Sequence, residues 1–169
     1  MRKLGASPRF AADRTLGRLA RWLRLLGADV FGDPSLNAAQ LLYRARAEQR
    51  ILLTRDKRLR TASDVYYVAG NDFRSQLREV IARFDFDPRA TMLTRCSRCN
   101  GALRITDRDA VRMRVPPFVY ASQDTFAACE RCGHIYWNAT HPGRIQRELD
   151  AVLSGDRRGG GLADPSAEG

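Results

Sequence analysis

Lysine is almost missing from this chain. Lys3 and Lys57 are the only two among 29 basic residues, and histidine is equally scarce at two. Long apolar runs are missing as well: Arg18, Arg21 and Arg24 cut the best candidate far short of a bilayer span, so no membrane anchorage is expected. The opening MRKLGASPRF is basic but has no apolar stretch, so a secretory leader is not expected and a reducing cytoplasm is. That setting argues against a disulfide framework. Acidic residues are also in short supply, 19 against 29 basic, for a net charge of +10 and a pI near 10.3. Such a surplus points to a polyanion partner. The planar arginine fork suits phosphate and so favours nucleic acid. Coding bias in an Ala-, Arg- and Gly-rich chain also turns lysine into arginine, but it does not explain a surplus over the acids.

What the chain does have is four cysteines in a telling order: Cys96-Ser-Arg-Cys99 and Cys129-Glu-Arg-Cys132, with Gly101 and Gly133 close behind each pair. Each C-x-x-C turn aims two thiolates at one point, and two such turns complete a tetrahedral zinc site. With all four ligands supplied by protein there is no open position for water, so this zinc is structural rather than catalytic. A length of 169 residues accommodates one respectable core plus a small metal-stapled module.

Periodicity places the elements. Residues 9–13 read as a strand ending at Asp13, and 14–26 as a helix with Leu16, Leu19, Leu23 and Leu26 on one face. Arg14, Arg18 and Arg21 occupy the other face, and Gly27 stops the helix. Strands are expected at 28–31, at 51–54 and at 65–68, with helices at about 36–49 and 72–84. Strands alternating with helices predict an α/β fold with a parallel sheet flanked by helices over residues 1–88. From Asp87-Pro88 the texture changes, and 90–141 is expected to form a small β zinc ribbon. Within it, Val111, Met113 and Val115 alternate with Arg112 and Arg114, which predicts a strand with one basic face. Phe118-Val119-Tyr120 and Ile135-Tyr136-Trp137 supply further β-prone pieces. A short helix at 142–153 and a disordered tail over 154–169 complete the expectation.

Asp13 and Asp56 each fall just past a predicted strand end, where ligands collect in open α/β sheets. Two carboxylates meeting there repel unless a cation joins them, and hard oxygen ligands select Mg²⁺ or Mn²⁺. Both aspartates are also good helix N-caps, and the residues alone leave the two readings open. Asp33, in a turn after the second strand, and Asp72, at the start of the 72–84 helix, are further candidates for the same edge. Asp29 and Asp64 precede their strands and belong to the far edge.

The stretch from Asp13 through Gly27-Ala-Asp29 resembles the opening of the PIN-like ribonuclease domains named for the C-terminal part of the Mut-seven exonuclease. So do Ile51-Leu-Leu-Thr-Arg-Asp56, the Cys96/Cys99 knuckle, and Val115-Pro-Pro followed by Cys129-x-x-Cys132-Gly-x-Ile-Tyr-Trp137. The resemblance covers about residues 9–145. It implies a PIN-type fold with a C-terminal zinc ribbon and metal-dependent cleavage of RNA that leaves a 5′-phosphate. By position, Asp13, Asp56 and Asp72 match the family's acids. The helix that brings a further carboxylate in relatives carries Asn37 and Gln40 here, with Asp33 as the substitute, and Arg58 stands where many PIN toxins have another acid. His134 reads as a neighbour of the second knuckle, and His141 matches a histidine at the end of the family's ribbon, a candidate phosphate contact or an acid near neutral pH. With Arg14, Arg18, Arg21, Arg112 and Arg114 it completes the RNA-binding set. Residues 89–114 carry seven arginines against Asp107 and Asp109, a local surplus of five.

The leading expectation is thus a metal-dependent ribonuclease with structural zinc and catalytic Mg²⁺ or Mn²⁺. The alternative is a non-catalytic protein that binds RNA, a ribosome or another ribonucleoprotein through a degenerate PIN-like site.

Overall fold

A computed structural model describes residues 8–137 and 142–155. Four short strands make the main sheet: β1 (Arg9–Ala12), β2 (Asp29–Phe31), β3 (Ile51–Thr54) and β4 (Val65–Tyr67), in the order β2-β1-β3-β4 and all parallel. Central strands covered on both faces need side chains that are apolar without alternation, and β1 and β3 supply them. Phe10, Ala12 and Leu53 point into one buried cluster, and Ala11 and Leu52 into another.

The helices fill those two faces. On one side, α1 (Gly17–Leu25) packs against α3 (Phe73–Phe84) over Phe10, Val30 and Leu53. On the other, α2 (Ala38–Ala47) lays Leu41 and Ala45 over Ala11 and Leu52. The four leucines expected on the inner face of the first helix are all buried. Its end is set by Gly27, whose φ of +93° favours glycine and whose position would drive a Cβ to 2.2 Å from the Thr91 carbonyl oxygen. Every strand of this sheet lies within two residues of its expected span.

Beyond the sheet a short helix, α4 (Pro88–Thr91), leads into the cysteine module. A three-stranded antiparallel sheet forms from β5 (Leu103–Thr106), β6 (Phe126–Cys129) and β7 (Ile135–Trp137). The expected strand at 111–115 is corrected. Arg108–Val111 is a helical turn, α5, and Arg112, Met113 and Arg114 all project from the turn that follows. Val111, Val115 and Val119 are buried together with Phe126 and Ile135, but Met113, which a strand would place on the same face as Val111 and Val115, is 92 % exposed, so the alternation of a strand is not realised. The β-prone Phe118-Val119-Tyr120 is likewise helical, in α6 (Pro117–Ser122), where Pro117 stands at a position that needs no N–H donor.

The last helix, α7 (Pro142–Ser154), packs back on α3, with Ile145, Leu149 and Val152 in the main core. A two-pronged pair from Arg74 to the buried Glu148, with contacts of 2.6 and 3.0 Å, fixes the docking. The tail expected to lack structure lies outside the described residues from 156 onward. Among the described residues no helix is long and apolar enough to cross a membrane.

Cysteine module and sheet share one core: Cys96, Cys129 and Tyr136 belong to the same buried cluster as Phe10 and Leu53. Polar contacts tie them further. Arg24, buried in α1, donates from Nε to Val30 O at 2.8 Å and from Nη1 to the carbonyls of Ser97 and Arg98. Asn100, in the left-handed region at φ +66°, accepts from the Val30 N–H at 3.0 Å and donates to Asp29 at 2.7 Å. Asp29 lies at the opposite sheet edge from Asp13, as expected, and also binds Arg50 at 2.7 Å.

Candidate functional site

Because all four main strands are parallel, their carboxyl ends share one edge. Asp33 follows β2, Asp13 follows β1, Asp56 follows β3, and Asp72 stands beyond β4 at the start of α3. The register Ala12↔Leu53 makes the ends of β1 and β3 neighbours, and the Asp13 N–H extends the ladder by one bond to Leu53 O.

Buried Thr54 joins the two central aspartates. Its hydroxyl donates to Asp13 Oδ2 at 2.6 Å and accepts from the Asp56 N–H at 3.0 Å. Asp13 also takes the Arg55 N–H on Oδ2 and the Thr15 N–H and hydroxyl on Oδ1, the N–H contact capping a 3₁₀ turn over Arg14–Leu16. Asp56 caps the next 3₁₀ turn through the Arg58 N–H and is gripped by the Arg58 side chain, with Nη2 to Oδ2 at 2.6 Å. Those side-chain bonds, with the backbone N–H behind them, bring the Asp56 carboxyl down to about 2. The two sequence readings, cap and site member, are therefore compatible: capping is what aims these carboxylates at the edge.

The other two acids are not drawn in. Asp33 accepts from the Ser35 hydroxyl and N–H at 2.6 and 2.9 Å, and these bonds hold its pKa below the usual carboxylate value. Asp72 closes a capping box with Ser75, whose hydroxyl holds its pKa below the usual value too. Asn37 and Gln40 form a second capping box on α2, so the residues at the place of the family's helix carboxylate are engaged locally.

Sequence reasoning missed the supports of this edge. Arg55 reaches across to the carbonyls of Val68 and Gly70, while Glu79 accepts from the Ala69 and Gly70 N–H groups at 3.0 and 2.9 Å. Together they pin the loop beyond β4. Arg14, Arg18 and Arg21 are exposed along α1 and the turn before it, and the Arg18 guanidinium lies 4.2 Å from the centre of the Phe73 ring.

The carboxylates suit a hard divalent ion in kind and number, since magnesium is commonly held by one or two carboxylates with water and phosphate completing the shell. Among the described residues, however, only the cysteines form a cluster of three or more ligands within coordination reach. The Sγ atoms of Cys96, Cys99, Cys129 and Cys132 all lie within 4.8 Å of one another, with pairs at 3.7 Å (Cys96–Cys132) and 3.4 Å (Cys99–Cys129). Four thiolates around a zinc at about 2.3 Å stand about 3.8 Å apart, so the cluster fits that ion. Burial pushes the Cys99 thiol up to about 12 and acts the same way on Cys129, where the Cys132 and Arg131 N–H groups outweigh it and bring the thiol down to about 7. Gly101 is required by space, since a Cβ there would meet Cys129 Sγ at 2.8 Å, and Gly133 by its φ of +71°.

His134 is the expected neighbour rather than a ligand. It packs edge-on against Tyr136, meets Arg98 Nη1 at 3.1 Å, and is held below the ordinary histidine pKa by burial and then by that guanidinium. Tyr136 in turn places its hydroxyl 3.2 Å from Cys96 Sγ. Arg114 donates to Gly133 O at 2.6 Å, and Arg112 lies 6.0 Å from the centre of the Tyr120 ring. His141 lies outside the described residues.

Comparison with known proteins returns one family: a model described as the Mut7-C RNAse domain matches residues 8–149. No curated protein and no solved structure matches the chain.

Proposed function

The chain belongs to the Mut7-C RNAse domain family, and from that premise we propose a metal-dependent, PIN-like ribonuclease that hydrolyses RNA phosphodiesters at the carboxyl edge of the main sheet. The observation that carries the reading is the Asp13–Thr54–Asp56 constellation: two carboxylates on adjacent strand ends, joined by one buried hydroxyl. Magnesium or manganese held by Asp13 and Asp56 would supply Lewis acidity and an activated water at the phosphodiester. Thr54 and the Arg55 N–H orient the Asp13 carboxylate. Arg58, whose side chain is 86 % exposed, can leave Asp56 and meet an incoming phosphate. Asp33 and Asp72 flank the pair from the outer strands and serve substrate or water rather than the ion directly. The arginines along α1, with Arg112, Arg114 and His141 of the ribbon, hold the RNA backbone, and the cysteine zinc is structural.

Zinc-loaded protein given end-labelled RNA with added Mn²⁺ or Mg²⁺ is expected to cut. Asp56→Asn and Asp13→Asn should each lower the rate by at least about a hundredfold, the scale of losing a group that stabilises charge in the transition state. RNA that is bound but not cut, or equal cutting by wild type and Asp56→Asn, would transfer the assignment to a non-catalytic RNA- or ribosome-binding protein.

A further inference from the structure

A cavity of about 710 Å³ opens in the ribbon between α6 and the second knuckle. Its volume falls within the range of roughly 300–1,000 Å³ typical of small-ligand sites. Phe118, Trp137 and Ile135 give it apolar walls, while Arg114, His134 and Gln123 bring polar groups to the same space. Among the described residues no carboxylate lines it.

Phe118 stands outside the ribbon's small buried core. Its ring is 73 % exposed, while Val119 beside it is 3 % exposed and anchors α6 in the ribbon's small core. Pro116-Pro117 fixes the start of α6, so Phe118 is presented to solvent by a rigid element rather than by a loose loop. Arg114 is equally constrained: its bond to Gly133 O spans from the turn after α5 to the knuckle and sets the guanidinium at the cavity wall. Arg98 stands behind His134. Aromatic surface, fixed cations and no acid form the combination that single-stranded nucleic acid requires, with bases stacking on rings and phosphates meeting arginine.

We propose that this cavity is a nucleobase subsite, which takes one unpaired base of single-stranded RNA against Phe118 and Trp137 and its phosphate on Arg114. The proposal rests on RNA being the substrate, and it makes the ribbon a selector of unpaired strands rather than a general basic surface. An acidic peptide is the competing occupant. It is disfavoured because a peptide gains little from two aromatic walls without a matching apolar anchor, whereas every base has a stacking face.

The chain carries two tryptophans, and Trp22 is 4 % exposed in the main core, so ligand quenching of emission reports on Trp137. Zinc-loaded full-length protein, without added Mg²⁺ or Mn²⁺, is titrated with adenosine and uridine monophosphates, a ten-nucleotide single strand, a blunt RNA duplex, and a polyglutamate of matched charge. Saturable quenching by the mononucleotides and the single strand is expected, with little from the duplex or polyglutamate. Fluorescence anisotropy of the labelled strand should show Phe118→Ala binding about five- to a hundredfold more weakly, the range for loss of one base–aromatic stack. Arg114→Gln should reduce the salt slope by about one, as for one lost phosphate contact. Absence of quenching, equal quenching by polyglutamate, or wild-type affinity in Phe118→Ala overturns the subsite. If Phe118→Ala binds normally in a protein that cuts RNA, only the subsite fails. If stacking is seen but nothing is cut, the subsite stands and the ribonuclease reading fails.

Discussion

Arg58 and Asp56 hold each other at the exit of β3, and that pair decides how the edge behaves when a cation arrives. The carboxyl sits near 2 because the guanidinium bonds to it. A depressed carboxylate pKa contributes stability that is present above the unfolded value of about 3.9 and is lost as pH falls through 2. Because Asp56 is only half-buried and its partner Arg58 is exposed, that contribution is small, and the effect is one of site chemistry. Arg58→Ala should move the Asp56 midpoint up toward about 4, read by carbon-detected NMR titration, and tighten Mn²⁺ binding by removing the resident cation. An unmoved midpoint would show that the backbone cap alone sets the charge. At this scale much was readable: strand-end position singled out Asp13 and Asp56, and their type fitted both cap and ligand. Arg24 and Asn100 were not readable. Arg24 lies between the arginine stripe and the leucine face of its helix, and only the knuckle's carbonyls explain its burial. Asn100 fills the left-handed position that glycine fills after the second cysteine pair.

Elements were legible where burial imposed a clear period. The main sheet and its helices follow from leucine spacing and from apolar runs covered on both faces. The ribbon was harder, because β5 has no period to read: Leu103 is half-buried and Ile105 is 92 % exposed. The misreading of 111–115 came from granting Met113 a buried role, although it is 92 % exposed while Val111 and Val115 on either side are buried. The docking of α7 was open in the sequence and is settled by Arg74 and Glu148. Removing one partner of a buried pair leaves a charge unanswered, at a cost of about 3 kcal/mol or more. Glu148→Ala should therefore lower stability in urea by about that amount, whereas Asp150→Ala, which loses the exposed pair with Arg89 and an exposed bond from Gln146, should change it by less than about 1 kcal/mol.

At the scale of the molecule, the cysteine knuckle and the sheet are one mechanical unit. The first cysteine pair is reached by Arg24 from α1, and Asn100 next to it grips Asp29 and Val30 of β2. Binding free energy at a structural zinc is also folding free energy. Stripping the metal should therefore loosen the sheet as well as the ribbon. Hydrogen exchange of the Val30 amide is expected to quicken after chelation and to recover on re-addition of zinc, while Leu53, whose strand lies between two others, stays slow. Equal protection of Val30 with and without metal would show that the two modules are independent.

β2 is an edge strand, and its outward side is covered: the Val30 N–H goes to Asn100 of the knuckle and the Val30 carbonyl to Arg24 of α1, which itself bonds the knuckle. An open strand edge is a template on which another chain can pair. The cysteine turn therefore acts as a seal. A chain whose knuckle has not yet folded is expected to present that border to its neighbours and so to aggregate more readily than the folded one.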